Sequence, residues 1–398
     1  MVLETPDVLV IGLGAMGSAA AYQLAKRGLR VVGLDRFTPP HTHGSTHGET
    51  RITRLAIGEG TQFVPLAQRS QQLWRDIEAQ TGAALFKQCG GLVLMHSASV
   101  AGKLHGQSDF LGSTVNAAQQ FGIKHERLDA AEVAARFPQF VMHGGEQAYF
   151  EPQAGYLSPE ACVSAQLSLA ARHGADLRFG QTVRSITTQN GQTQVHTDTA
   201  RFRAGTTLVC AGAWIPQLLP NLPVRVKVYR QVLTWFALDD AAPWQKTAES
   251  GGAPVFIWKW GAGTDEMVYG FPPIGGVAEV KLAAEQQVVT THPDSVQREV
   301  SEAEIAATFA MHVRGRFRGI SARCTRTATC LYTNTDDVNF VIDRLPDAAD
   351  VIVVSACSGH GFKHSAAIGE ALAEMALGGA TSGATPAVLR PFSMAKAA

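Results

Sequence analysis

The chain has 398 residues, more than a single hydrophobic core usually holds, so we expect two domains, either contiguous or interleaved. Lysine plus arginine and aspartate plus glutamate balance at 34 each, and no block of like charges occurs, which argues against a nucleic-acid or membrane-surface binder and favours small-molecule partners. No run of about 18 apolar residues predicts a membrane span and no signal peptide is evident, so the sequence predicts a cytoplasmic protein.

The first forty residues have the pattern of a βαβ unit. Asp7 to Ile11 is a short, β-branched, apolar run, which is typical of a buried parallel strand. A helix is predicted from Ser18 to Arg27, with Gly28 ending it, and a second strand from Arg30 to Leu34.

Later segments repeat this alternation and predict one parallel sheet. Its further elements are a helix over Pro159 to His173, strands over Thr207 to Ala211 and Val351 to Ser355, and a last helix from about Phe362 to Leu377. The segments between them, which include Gly90 to Met95 and Gln231 to Phe236, have the patterns of a second, antiparallel sheet.

We therefore predict an α/β fold of two interleaved domains. A Rossmann nucleotide-binding domain takes residues 1–83, 151–222 and 327–398. An α+β substrate domain built on an antiparallel sheet takes residues 84–150 and 223–326.

Three glycines form a dinucleotide-binding motif. Gly12, Gly14 and Gly17 follow the first strand and open the first helix, where they permit a tight turn, close approach to a pyrophosphate and close helix packing. Asp35, at the end of the second strand, would accept hydrogen bonds from ribose hydroxyls and disfavours a 2′-phosphate, so NADP is not expected. The motif alone does not separate FAD from NAD.

A polar loop follows, with the sequence HTHGSTHGETRITR over residues 41–54. Three readings are open: a metal site on the three histidines, a solvated turn, or the wall of a bound cofactor or anion. No periodicity aims all three histidines at one point, so we predict no metal site. We prefer the cofactor or anion wall, because the loop leaves the carboxyl end of a strand and presents Arg51 and Arg54 there.

Several segments together resemble the monomeric sarcosine oxidase and N-methyltryptophan oxidase family of flavoenzymes. Besides the glycine motif, they are PPHTHGSTHGETRITRLAIGEG (39–60), YGFP (269–272), TCLYTNT (329–335) and CSGHGFKHSAAIGE (357–370), and the likeness runs from about residue 7 to residue 393. The resemblance implies FAD, a glutathione-reductase-type FAD-binding domain, a monomer, and oxidation of secondary or tertiary amines of amino acids by O2.

The resemblance also implies roles for single residues. Cys330 matches the cysteine that links covalently to the flavin, whereas the residue type alone would indicate packing, and the surroundings of the nearby Cys324 do not match. Arg54 and Lys363 match the pair that holds the substrate carboxylate, as charge-assisted donors should. Arg51 matches an arginine beside the flavin ring.

Two further residues gain a catalytic meaning from the same resemblance. Tyr269 matches a tyrosine of the substrate pocket, although a tyrosine at a strand end otherwise indicates packing. Lys281 matches the lysine that promotes O2 reduction, although a strand lysine otherwise indicates a solvated edge. The remaining expected cofactor contacts are Ser45, His47, Thr50, Val183, Gly212, Trp214, Gly359, Gly361 and Phe362.

The expected reaction transfers a hydride equivalent from the carbon next to nitrogen to flavin N5, followed by imine hydrolysis and reoxidation by O2 to H2O2. The alternative is a flavin-dependent amine dehydrogenase that uses another acceptor; an NAD-dependent enzyme or a binding protein would leave Cys330 without a role. Glu285 stands where sarcosine-oxidising members have histidine, and Thr46 also departs from their loop. We therefore expect a secondary amino acid other than sarcosine, either N-methylated or cyclic.

Overall fold

The computed structural model describes residues 3–98, 103–189, 192–245, 252–378 and 385–394. Its helices are α1 (Ala15–Lys26), α2 (Val64–Thr81), α3 (Phe110–Gln120), α4 (Ala130–Arg136), α5 (Pro159–Arg172), α6 (Ile215–Leu218), α7 (Glu302–Thr308) and α8 (Ser365–Leu377).

The first eleven strands are β1 (Leu3–Glu4), β2 (Val8–Ile11), β3 (Val31–Leu34), β4 (Arg51–Thr53), β5 (Phe86–Gln88), β6 (Gly91–His96), β7 (Glu126–Asp129), β8 (Glu146–Glu151), β9 (Gly155–Leu157), β10 (Asp176–Arg178) and β11 (Val183–Gln189). The others are β12 (Gln192–Thr197), β13 (Arg201–Phe202), β14 (Thr206–Val209), β15 (Val226–Leu238), β16 (Val255–Lys259), β17 (Met267–Phe271), β18 (Glu279–Ala283), β19 (Ile320–Thr335), β20 (Val341–Leu345) and β21 (Ala348–Ser355).

A six-stranded sheet in the order β10-β3-β2-β14-β21-β20 forms the nucleotide-binding part of the molecule. Its strands are parallel except for β20, which pairs antiparallel with β21. The central strands β2, β3 and β14 are buried at every position, which explains their uninterrupted apolar sequences. Helices α1, α2, α5 and α8 form the core of one face, and a small sheet of β1, β13, β12 and β11 contributes to the other.

An eight-stranded sheet in the order β19-β15-β18-β17-β16-β6-β8-β7 forms the second part. Six of its neighbouring pairs are antiparallel, as predicted, but β6 and β16 pair in parallel. The reason is that β6 belongs to residues 84–150 and β16 to residues 223–326. The two strands are therefore not joined by a hairpin that would make them antiparallel. A fourth sheet, of three strands in the order β4-β9-β5, includes Arg51–Thr53 of the polar loop.

Several element limits differ from the sequence predictions. Helix α1 begins at Ala15 rather than Ser18, because Gly14 caps it and the glycine turn passes directly into the helix. Before α8, Phe362–His364 form a 3₁₀ turn, so the final helix starts in a tighter winding than expected. The predicted domain boundary after residue 326 falls inside the 16-residue strand β19.

Candidate active site

The glycine turn between β2 and α1 has no room for side chains. Gly12 has φ +86°, and a Cβ there would lie 2.6 Å from the carbonyl oxygen of Cys210 at the end of β14. A Cβ on Gly17 would lie 1.7 Å from the carbonyl oxygen of Gly12. The turn therefore brings backbone amides and the N-terminus of α1 to the surface of a cavity that Gly12 and Gly14 line.

Asp35 is fixed at the end of β3 beside this turn. Its carboxylate is 6% exposed and accepts hydrogen bonds from the amides of Leu13 and Phe37, each at 2.8 Å. It also lines the cavity, so it is oriented to accept hydrogen bonds from ribose hydroxyls.

One cavity runs from the glycine turn to the eight-stranded sheet. It is lined by fourteen of the residues predicted from the sequence: Gly12, Gly14, Asp35, Ser45, Arg51, Arg54, Val183, Gly212, Trp214, Tyr269, Gly359, Gly361, Phe362 and Lys363. The five others lie behind its wall and are Gly17, His47, Thr50, Lys281 and Cys330. Gly17 does not need to line the cavity for its predicted role, because its lack of a side chain lets helix α1 pack closely against the glycine turn.

Arg51 joins three of the predicted residues at the middle of the cavity. Its guanidinium donates to the carbonyl oxygens of Thr50, at 2.7 Å, and Ser45, at 2.6 Å, and its Nη2 lies 3.5 Å from the Cys330 Sγ. The Cys330 Sγ thus contacts Arg51, which lines the cavity, although Cys330 itself does not line it. His47 is buried next to this group, and burial together with the charge of Arg51 lowers its pKa to about 3, so the imidazole is neutral.

Lys281 lies directly behind the cavity wall, on β18. Its Nζ donates to the carbonyl oxygens of Gly48, at 2.5 Å, and Thr50, at 3.1 Å, and to the Thr50 hydroxyl, at 3.1 Å. The rings of Trp235 and Phe271 flank the ammonium, at 5.3 and 4.7 Å from their centroids. Burial and the neighbouring Arg51 place the pKa of Lys281 well below its usual range.

At the far end of the cavity Arg54 and Lys363 converge on a carboxylate that the sequence analysis missed, that of Glu59. The Arg54 Nη2 donates to Glu59 at 2.6 Å and its Nη1 donates to the carbonyl oxygen of Ala56. The Lys363 Nζ lies 4.0 Å from Glu59 and donates to the carbonyl oxygen of His360 at 2.7 Å. Burial alone would raise the pKa of Glu59, but the two cations hold it well below its usual range.

Arg54 and Lys363 exceed Glu59 by one positive charge, and the neighbouring pair of Glu285 and His105, whose pKa is raised, leaves that excess in place when His105 is protonated. Burial lowers the pKa of Lys363 to about 8, against the opposing effect of Glu59, so the ammonium is charged below that pH. A single carboxylate from a ligand would balance the charge.

Tyr269 on β17 contributes the neighbouring wall. Its hydroxyl lies 3.2 Å from that of Tyr332, and burial raises the pKa of Tyr269, so the phenol stays protonated. Tyr332 also lines the cavity and was missed. The signal was its position two residues after Cys330, which places both side chains on the same face of β19.

Glu285 and His105 complete this end of the cavity. The His105 Nε2 lies 3.2 Å from the Glu285 carboxylate, and both side chains are less than 10% exposed. Burial lowers the pKa of His105, but Glu285 outweighs it, so the net shift is upward. His105 was missed because the part of residues 84–150 in which it lies carries no motif.

The cysteines and histidines have no metal-site geometry in the part of the chain that the structure describes. Within residues 3–98, 103–189, 192–245, 252–378 and 385–394, no three His, Cys, Asp or Glu side chains are grouped so that they could hold an ion. All six cysteines are free thiols. Cys210 and Cys357 line the cavity and are therefore two further cysteines near the cofactor position, besides Cys330.

The cavity has the features that FAD requires. A glycine turn too tight for side chains and a helix N-terminus suit a pyrophosphate, an oriented carboxylate suits the ribose, and a cationic wall follows at the middle. The profile of proteins described as FAD dependent oxidoreductase matches residues 7–375.

The chain belongs to the FAD dependent oxidoreductase family. Within this family it is 38% identical to a monomeric sarcosine oxidase of Streptomyces avermitilis over 384 residues, which are 95% of each chain. It is 34% identical to an N-methyl-L-tryptophan oxidase of Yersinia pestis over 369 residues, 92% of this chain and 94% of the relative. The family expected from the sequence motifs, and FAD as its cofactor, are therefore confirmed.

A solved structure shares the fold at lower identity. The open form of NikD, described as an unusual amino acid oxidase essential for nikkomycin biosynthesis, superposes with a TM-score of 0.80 over 94% of both chains at 24% identity. This likeness confirms the predicted fold class of an FAD-binding Rossmann part with an interleaved second sheet. Among the described helices, none is both long and apolar enough to cross a membrane.

Proposed function

We propose that this protein is an FAD-dependent oxidase of secondary amino acids, either N-methylated or cyclic, with O2 as the electron acceptor. The observation that carries the proposal is the pair Arg54 and Lys363 around Glu59, at the end of a cavity that begins at the dinucleotide turn. Two cations and one carboxylate, beside the ion pair of Glu285 and protonated His105, leave one charge for the carboxylate of an amino acid. The sarcosine and N-methyltryptophan oxidases among the relatives support this substrate class.

The chain's residues divide the work as follows in this proposal. Arg54 and Lys363 hold the substrate carboxylate, and the protonated Tyr269 orients the substrate by hydrogen bonding. Arg51 supplies fixed positive charge near the flavin ring, and the buried amino group of Lys281 is held behind the same wall to promote O2 reduction. When bound, FAD would supply the redox chemistry, with the amine as electron donor and O2 as acceptor, so that the products would be H2O2 and an imine that water hydrolyses.

We further propose a covalent link between FAD and Cys330. Its support is the family motif around this cysteine and the position of its Sγ beside Arg51 and Ser45, which both line the cavity. The test is the mass of the denatured polypeptide and of its Cys330 and Cys357 peptides. The Cys330 peptide should carry the flavin in the native sequence, and Cys330→Ser should release it; flavin on the Cys357 peptide would contradict the proposal.

The remaining parts of the proposal concern the whole chain. We propose that residues 1–83, 151–222 and 327–398 bind the nucleotide, that residues 84–150 and 223–326 form most of the substrate side, and that the protein is a cytoplasmic monomer. The buried Glu285, in place of a family histidine, supports a substrate other than sarcosine.

The activity is tested by H2O2 release across a panel of N-methyl and cyclic amino acids. Arg54→Lys should lower kcat/KM about 10- to 100-fold, because the paired donors to the carboxylate are lost. Amines without a carboxylate should show no such loss, and Arg69→Lys, which alters a surface pair with Glu370, is the matched control. Dye reduction without H2O2 would favour the dehydrogenase, and activity on sarcosine alone would refute the substrate proposal.

A further inference from the structure

Residues 284–300 connect β18 to α7 without a helix or strand of their own, which is unusually long for an irregular connection inside a folded part of a protein. The segment starts at the substrate end of the cavity, where Glu285 meets His105. It then follows the half of β15 that β18 leaves unpaired, with a bridge between Thr290 and Tyr229 and a hydrogen bond from the Thr291 amide to Val228 at 2.8 Å. We call residues 284–300 the strap.

The strap reaches the nucleotide end of the cavity at Asp294. This carboxylate accepts hydrogen bonds from the Arg36 guanidinium at 2.6 Å, the Trp214 indole at 2.8 Å and the Gln217 amide at 3.2 Å. All three donors line the cavity, and they come from separate elements: the end of β3, the turn before α6, and α6 itself. One side chain of the strap therefore fixes three parts of the wall near Asp35.

A second attachment lies on the loop of residues 41–54. The Arg298 guanidinium donates to the carbonyl oxygens of Thr42, at 3.0 Å, and His43, at 2.8 Å. The carbonyl oxygen of Arg298 in turn accepts a hydrogen bond from the Thr329 hydroxyl at 2.7 Å, one residue before Cys330. The strap is thus tied both to the polar loop and to β19.

The contacts of Asp294 contribute little to the free energy of unfolding. The Asp294 side chain is 36% exposed and that of Arg36 is 42% exposed, and exposed ion pairs stabilise folded proteins only weakly. All three donors to Asp294 lie in the wall of the cavity, so the contacts can act on ligand binding. Arg36 and Gln217 are exposed side chains beside the nucleotide site, and ordering them before the ligand binds lowers the cost of binding.

We infer that the strap retains FAD at its adenosine end, and that Asp294 is the positioning residue that holds Arg36, Trp214 and Gln217 against the bound nucleotide. The role is distinct from catalysis, because Asp294 itself does not line the cavity. Burial opposes ionisation of Asp294, but hydrogen bonds from Trp214, Gln217 and Arg36 hold its pKa below the usual value, so the contacts persist at neutral pH.

The test measures the release of FAD rather than turnover. The Cys330→Ser protein is loaded with FAD, and the dissociation rate is followed by flavin fluorescence after dilution, so that a covalent tether does not mask it. Asp294→Ala should increase the rate about tenfold or more, because three ordered donors are lost, and Asp294→Asn should increase it less. The readout concerns FAD alone, so it stands whether or not the amine oxidase proposal holds.

Asp7→Ala is the matched control. Asp7 has the same 36% side-chain exposure and also pairs with an arginine, Arg30, but it lies at the opposite end of β2 from the glycine turn. Equal dissociation rates for Asp294→Ala and Asp7→Ala would overturn the inference. If Asp294→Ala does not fold, Trp214→Phe serves instead, because it keeps an aromatic ring and removes the indole N–H donor. This variant should release FAD several times faster than the parent. An unchanged dissociation rate would overturn the inference equally.

Discussion

At the scale of single residues, Lys281 is a buried basic side chain that its neighbours hold in one position. Its ammonium has three acceptors and two aromatic rings around it, so its position behind the cavity wall is fixed before any reaction. We expect Lys281→Met to slow reoxidation of the reduced enzyme by O2 about 100-fold or more, with a much smaller effect on reduction by the amine. Stopped-flow spectroscopy of the two half-reactions measures both.

Lys259→Met is the control for that substitution. Lys259 is also buried in the eight-stranded sheet, on β16, but its Nζ donates to the carbonyl oxygen of Gly263 in a turn outside the cavity lining. A similar loss of O2 reactivity in both variants would mean that the effect comes from removing a buried charge, and the role assigned to Lys281 would be wrong.

The titration of Lys363 gives a second prediction at this scale. Its pKa is lowered to about 8 by burial, so the ammonium loses its proton as the pH rises through that value. Binding of a carboxylate should therefore be strong below pH 8 and weaken above it, because one of the two cations disappears. Spectral titration with a carboxylic acid that has no amine isolates this step, and in Lys363→Met the change near pH 8 should be absent.

The sequence identified the cations at the substrate end but not the carboxylate that organises them. Arg54, Lys363 and Glu59 all lie in segments that resemble the family, but the sequence does not show that Glu59 faces both cations. His105 lies in no such segment and meets Glu285 only through a tertiary contact. Cys357 illustrates the same limit, since its place in the cavity wall follows from where β21 ends. Two buried cations need a carboxylate partner, so their burial would predict a residue such as Glu59. The sequence does not show that Arg54 and Lys363 are buried.

At the scale of elements, the turn of residues 48–50 links helix α5 to the reactive lysine. Gly48 and Glu49 both have positive φ, and their amides donate to the Glu160 carboxylate at 2.6 and 3.1 Å. The carbonyl oxygens of Gly48 and Thr50 face the other way and accept from Lys281. A conformation that costs energy at Glu49 is therefore held between an acceptor on one side and a donor on the other.

Removing that acceptor should loosen both the turn and the lysine. Glu160→Ala leaves two amides without their partner, at a cost of about 1–3 kcal/mol, and should lower the melting temperature and the rate of O2 reoxidation together. Glu160→Gln keeps an acceptor oxygen and should remain close to the parent in both. A full loss of O2 reactivity in Glu160→Gln, with an unchanged melting temperature, would instead indicate that the charge of Glu160 matters.

The prediction of elements succeeded where the pattern was local and failed where pairing decided the outcome. The apolar run before Gly12 predicted β2, and the helical periodicity after Pro159 predicted α5, almost to the residue. Strand β15 is far longer than the predicted segment from Gln231 to Phe236, because pairing with β19 extends it from Val226 onward. The direction of the β6 and β16 pair also depends on contacts between distant segments.

At the scale of the whole molecule, the cavity is shared by the two main sheets. Its lining includes the ends of β2, β3 and β21 from one sheet and residues of β16 and β17 from the other. The chain passes directly from β19 of one sheet to β20 of the other, and the strap joins the same two parts through the ion pair between Asp294 and Arg36. The interleaved domains could be predicted from the alternation of patterns, but this shared cavity could not, since it requires the relative placement of the sheets.

A ligand that contacts both parts should stabilise them as one unit. In Cys330→Ser protein stripped of flavin, we expect a single unfolding transition whose temperature rises with FAD concentration, because binding to the folded state alone adds about 2.7 kcal/mol at one hundred times Kd. Differential scanning calorimetry over a range of FAD concentrations measures this. Two transitions, of which only one moves with FAD, would contradict the shared cavity and show instead that the nucleotide part binds FAD independently of the eight-stranded sheet.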